Sequence, residues 1–101
     1  MFGDIVEKMK LAQQDSKDRL EYILVDGQAD NGRVKVVVNG NKQVKQILIS
    51  QDLFDEGDKE AIEELLQVAV NKAIESAEIV YNDEMKGMAK DVMPSIPGLN
   101  F

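Results

Sequence analysis

Cysteine, histidine and tryptophan are all missing from the sequence, and proline occurs only twice. Without cysteine there is no disulfide framework, no thiolate nucleophile and no thiolate zinc site. Without histidine the commonest general base and metal ligand is gone as well. Paired carboxylates remain as an acid-base option, but helical spacing sets most of the acidic residues between 55 and 84 on solvated faces. The chain is therefore expected not to be an enzyme, and to need no catalytic residue, no metal and no cofactor. Nor does any window approach the ~18 apolar residues of a membrane span, and MFGDIVEKMK places charges where a signal peptide needs an apolar core. The expectation is a cytoplasmic protein.

What is present suits one folded unit, residues 1–101, with a tail from about residue 90. Hydrophobic residues make up 44% and charged residues 31%, enough apolar surface to offset the ordering entropy of a globular domain. The formal charge is −7, and it is unevenly spread. Residues 55–101 hold eleven acidic and four basic groups, whereas residues 31–51 hold Arg33, Lys35, Lys42 and Lys45 and no acid.

The order of elements follows from periodicity. Phe2, Ile5, Val6, Met9, Ala12, Ser16 and Leu20 recur at three-and-four spacing, which predicts a helix from about residue 3 to 21 with one apolar face. YILVDGQA, residues 22–29, is a first strand that breaks at Asp30-Asn31-Gly32. RVKVVV then alternates charge with valine, the pattern of a half-buried strand, and Asn39-Gly40 signals a tight hairpin. The return strand KQVKQILI has Val44 and Leu48 on one parity and Ile47 and Ile49 on the other, so its register stays open.

SQDLFDEGD reads as a linker of turn formers that ends with Asp58 as an N-cap. A helix to about Met88 is predicted after it, with Ile62, Leu65, Leu66, Ala69, Ala73, Ala77 and Val80 on one stripe and Val70, Ile74 and Tyr81 widening it. A helix this long is hard for three short strands to cover, which points to a partner subunit. Pro94 and Pro97 end any helix before the apolar tail Ile96, Leu99, Phe101. Asp52, Glu56, Gly57, Asp58 and Glu63 have a spacing reminiscent of a calcium loop, but Phe54 stands where the loop needs an oxygen, so an acidic helix start is the better reading.

The run Gly32-Arg33-Val34-Lys35-Val36 with Asn39-Gly40, then Val44, Ile47 and Ile49, resembles the YbaB/EbfC family of nucleoid-associated proteins. The likeness continues through Asp58-Lys59-Glu60 and Leu65-Leu66 into Val68-Ala69-Val70-Asn71-Lys72-Ala73, and reaches Glu84-Met85 and Pro97-Gly98. It implies an α+β fold of an N-terminal helix, a three-stranded antiparallel sheet and a long C-terminal helix. It further implies a homodimer with a shared sheet and projecting helices, located in the nucleoid and binding duplex DNA with limited sequence preference.

Two basic sets are candidates for phosphate contacts: Lys8, Lys10, Lys17 and Arg19 on the first helix, and Arg33, Lys35, Lys42 and Lys45 around the hairpin. Each has a plainer reading, as helix-surface charge pairing with Glu7, Asp15 and Asp18 or as solvated guards of a sheet edge. Leu65, Leu66, Ala69, Asn71 and Ala73 are candidates for packing or dimer contacts, with Asn71 equally readable as a solvated amide. A rival function is an acidic dimeric module that binds a protein partner through its acidic helices rather than DNA.

Overall fold

The structure, a computed structural model, describes residues 2–92, with side chains described from residue 3 to residue 88. The element order is α1 (Phe2–Glu21), β1 (Leu24–Ala29), β2 (Val34–Asn39), β3 (Val44–Ile49), α2 (Gln51–Asp55) and α3 (Lys59–Val92). The three strands form one antiparallel sheet in the order β1-β2-β3. This is the α+β arrangement that the periodicity predicts.

Alternation on the two inner strands makes the core. Val34, Val36 and Val38 of β2 stand opposite Ala29, Gly27 and Val25 of β1, and all point to the side covered by α3. Ala69, Ala73 and Ala77 of α3, four residues apart, meet them and are fully buried. Small residues are required there. A Cβ on Gly27 would lie 2.2 Å from both the Ala69 carbonyl oxygen and the Ala73 nitrogen, so the helix backbone runs directly against the strand.

A bulge settles the register of β3. Val38 pairs with Val44 and Val37 with Gln46, which leaves Lys45 as the extra residue. The inserted residue shifts parity by one, so Val44 joins Ile47 and Ile49 on the α3 side while Leu48 faces the other way beside Lys35. The mixed parity of the sequence thus reflects one inserted residue rather than a two-faced strand.

Three further differences from the sequence expectation have physical causes. β1 starts at Leu24, because Tyr22 and Ile23 form a turn whose amides bond back to Arg19 and Leu20. The linker contains helix α2: the Ser50 hydroxyl accepts the Leu53 amide at 3.2 Å, and Leu53 is buried as the plug of that turn. α3 extends to Val92, four residues past the expected end, and the tail from residue 93 lies outside the described residues. Asp58 does cap α3, accepting the Ala61 amide at 3.1 Å.

α1 lies along the C-terminal half of α3 and buries only part of its stripe. Ser16 and Leu20 are buried, whereas Ile5, Val6 and Met9 remain exposed, as α1 packs chiefly on α3. The result is an elongated body 63 Å in its longest dimension.

Candidate nucleic-acid interface

The structure divides the eight basic candidates by what holds them. Arg33, just before β2, donates from Nε to Asp30 at 2.7 Å and from Nη1 to Glu56 at 2.7 Å. The Glu56 bond foremost, and the Asp30 bond next, push its pKa above the ordinary arginine value. With both carboxylates engaged, this guanidinium stitches the β1–β2 turn to the end of α2. Arg19 donates from Nε to Glu84 at 2.8 Å and also meets the buried Ser16 hydroxyl, which ties α1 to α3. Lys45, at the bulge, reaches Glu21 at 3.3 Å.

Lys8, Lys10, Lys17 and Lys35 make no ion pair among the described residues. The first three are exposed on α1, and Lys10 and Lys17, seven residues apart, share one helical face. Lys35 is half-buried on the sheet face away from α3, opposite Gln28 and Leu48. Arg33 and Lys35 therefore do not act as one doubled patch with Lys42, which lies past the other end of β2.

Lys42 is the best defined of the set. It occupies the left-handed region, φ 65°, a conformation that costs a side-chain-bearing residue roughly 1 kcal/mol or more. Its Nζ lies 4.6 Å from the centroid of the Tyr81 ring on α3. The loop around it is built on Asn39, fully buried, whose Oδ1 accepts the amides of Asn41 and Gln43 at 3.0 Å each while Nδ2 donates to the Gln43 Oε1 at 2.9 Å. Asn39-Gly40 thus does not form the expected two-residue turn. Gly40 instead donates to the Leu20 and Ile23 carbonyls, packed so closely on Leu20 that a Cβ would fall 2.6 Å from Cδ2.

This docking brings the loop beside α1, with Asn41 Nδ2 donating to the Lys17 carbonyl at 3.0 Å. Between loop, α1 and α3 opens a cleft of about 430 Å³, lined in part by Lys17, Asn41, Gln43, Tyr81 and Met85. Sequence reasoning singled out Lys17 and Lys42 but passed over Asn39, Asn41, Gln43 and Tyr81. The available signal was NGNKQ itself, a polar run longer than a two-residue hairpin turn requires.

The packing candidates also separate. Ala69 and Ala73 are buried against the chain's own sheet, Leu65 and Leu66 are partly buried at its margin, and Asn71 is exposed.

The sequence model of the YbaB/EbfC DNA-binding family matches residues 2–92. The chain belongs to that family. Curated relatives agree: a nucleoid-associated protein of Flavobacterium johnsoniae is 42% identical over 96 residues, covering 92% of this chain and 89% of its own length. One from Anaeromyxobacter dehalogenans is 31% identical, covering 92% and 88%. The crystal structure of an uncharacterized Helicobacter pylori protein shares the fold at TM-score 0.76, with 22% identity over 86% of this chain and 91% of that one. As a YbaB/EbfC member the chain is a nucleoid-type DNA-binding protein by family, and no described helix is long and apolar enough to cross a membrane.

The Arg19–Glu84 tie leads to a pH prediction. The bond from Arg19 foremost, aided by one from Ser16 and opposed by partial burial, holds the Glu84 carboxyl below the ordinary glutamate value. A carboxylate with a pKa depressed by folding binds fewer protons in the native state, so its contribution is present near neutral pH and is lost as pH falls through the depressed value. Glu84→Gln will therefore lower the urea midpoint near neutral pH, and the gap to the parent will close as pH drops below about 4. A gap that stays constant into acid would show that the pair does not hold α1 in place.

Proposed function

We propose that this YbaB/EbfC chain acts in the bacterial nucleoid as a homodimer that binds duplex DNA with limited sequence preference, through backbone phosphates. The observation that carries the reading is the set of unpaired ammonium groups on α1, beside the Lys42-bearing hairpin loop that Asn41 bonds to α1, on a chain whose net charge otherwise opposes DNA. Groups already neutralised, Arg33 above all, serve the fold. Lys8, Lys10, Lys17, Lys35 and Lys42 are the residues proposed to face phosphate, with Arg19 and Lys45 as supports.

The dimer reading rests on β3. All six of its residues are exposed, including Val44, Ile47, Leu48 and Ile49, and Phe54 of α2 is 66% exposed nearby. An apolar edge strand with open backbone groups is the surface that a second copy would cover by extending the sheet. Doubling the protomer would also double the lysines presented to one duplex.

A second reading is favoured by α3, whose Glu60, Glu63, Glu64, Glu75, Glu78 and Asp83 are all exposed. Such a surface suits a basic protein partner. Fluorescence anisotropy of a labelled duplex, titrated at rising salt, separates the two. With about six phosphates contacted, affinity should fall on the order of 10³-fold between 50 and 200 mM salt, equally for unrelated sequences. Absence of binding at low salt would leave the acidic module as the function.

A further inference from the structure

We infer that the Asn41–Gln43 loop, with Lys17 of α1, forms a preassembled clamp for the phosphodiester backbone of DNA; this assignment rests on the DNA-binding reading above. Ordinary surface lysines are free to sample many rotamers, and ordering them on a ligand costs entropy that weakens binding. Lys42 differs in being fixed in advance. Its backbone is held in the left-handed region by a loop whose amides are anchored on buried Asn39, and its ammonium is parked against the face of Tyr81.

Backbone strain in a surface loop persists only where its surroundings overdetermine it, and it concentrates at sites of ligand contact. Here the surroundings are unusually complete. A buried asparagine serves the loop alone, a glycine lets it approach Leu20 within contact distance, and Asn41 pins it to the carbonyl of Lys17. The loop presents the Lys42 ammonium beside Tyr81, and the cleft next to it has Lys17, Asn41 and Gln43 on its polar side and Leu20, Met85 and Met88 on its apolar side. Gln43 is oriented by the bond that Asn39 donates to its Oε1, which leaves its own amide N–H groups available to an acceptor.

Two cations and the free Gln43 amide, carried by one loop–helix junction, match a phosphodiester, an anion with acceptors only. The chemistry reads charge and not bases, in keeping with limited sequence preference. Arg33, by contrast, is assigned no ligand contact, since both its carboxylate partners are within the chain.

The test is the double variant Lys17→Gln with Lys42→Asn, titrated against a labelled duplex at several salt concentrations. Asparagine tolerates the left-handed conformation, so the loop keeps its shape while losing its charge. The control is Lys59→Gln at the start of α3, compared per charge removed, and far-ultraviolet circular dichroism and melting confirm that each variant folds. Each protomer in contact with DNA should lose about 1.8 from the log-log salt slope, two phosphate contacts at ~0.9 each. Affinity at ~100 mM salt should fall at least tenfold, while the control keeps the parental slope.

An unchanged slope in the double variant, with the parent protein binding normally, would overturn the clamp and leave the DNA reading intact. An equal loss per charge removed in the Lys59 control would overturn it too, because bulk charge would then explain the effect. If the parent protein shows no salt-dependent binding, the DNA reading itself fails and the clamp with it.

Discussion

Adding one methyl group at Gly27 will lower the melting temperature by roughly 12–24 °C, measured by circular dichroism at fixed protein concentration. The reason is where the atom would go. In Gly27→Ala the new Cβ falls 2.2 Å from the Ala69 oxygen and the Ala73 nitrogen, both main-chain atoms of α3 that no rotamer change can move aside. The helix must lift off the strand, and the contacts of Ala69, Ala73 and Ala77 with Val34, Val36 and Val38 open together. Overpacking in a core typically costs 1–3 kcal/mol; a backbone clash over a continuous helix belongs at or above the upper end, about 3 kcal/mol. At roughly 4–8 °C per kcal/mol for a domain of this size, the stated range follows. A shift of less than a few degrees would mean that α3 does not pack so tightly on β1.

Ile47→Lys will convert the proposed dimer to a monomer at micromolar concentration, with sedimentation equilibrium reporting the 11.3 kDa chain mass in place of twice that value. Ile47 faces the α3 side of the sheet on β3 but lies beyond the helix's cover, 47% exposed in the single chain. A lysine there has water on one side and disturbs the protomer little, so the melting of the isolated chain should hardly change. In a two-fold interface the same position occurs twice. Losing about 1.5 kcal/mol of apolar burial from each copy removes about 3 kcal/mol, which raises the dissociation constant on the order of a hundredfold before the cost of a buried ammonium is added. DNA binding should weaken with it, since half of the phosphate contacts would leave the complex. A parent protein that sediments as a monomer, or a variant that remains dimeric, would remove β3 as the interface.

Much of the fold was legible because it depends on local pattern. Alternation identified β2, three-and-four spacing identified both long helices, and Asp58 announced the start of α3. What was not legible depends on contacts between distant segments. The bulge at Lys45 can be seen only once Val37 and Val38 are paired with their partners, and α2 hides in a linker because a five-residue helix has too short a period to detect. The site divided in the same way. Lysine and arginine positions were plain in the sequence, but their partners were not: Glu56 is 23 residues from Arg33, and Glu84 is 65 from Arg19. The spectator and the candidate contact have the same side-chain charge. Only the carboxylates that folding places beside them tell them apart.

The glycine-alanine contact between β1 and α3 also has a mechanical meaning. It is a fulcrum. α3 is a rod of 34 residues, about 50 Å long at 1.5 Å per residue, and the stretch from Ala73 to Val92 is a lever arm of roughly 28 Å. Tilting the rod by ~10° about that fulcrum would swing its far end by about 5 Å, close to one helical turn. Because methyl and hydrogen are the only groups at the pivot, there is no long side chain to yield, and the arm's bearing relative to the sheet is fixed within narrow limits. Any jaw formed by two such arms would have its gape set 28 Å away from its opening, by residues that never touch what it grips.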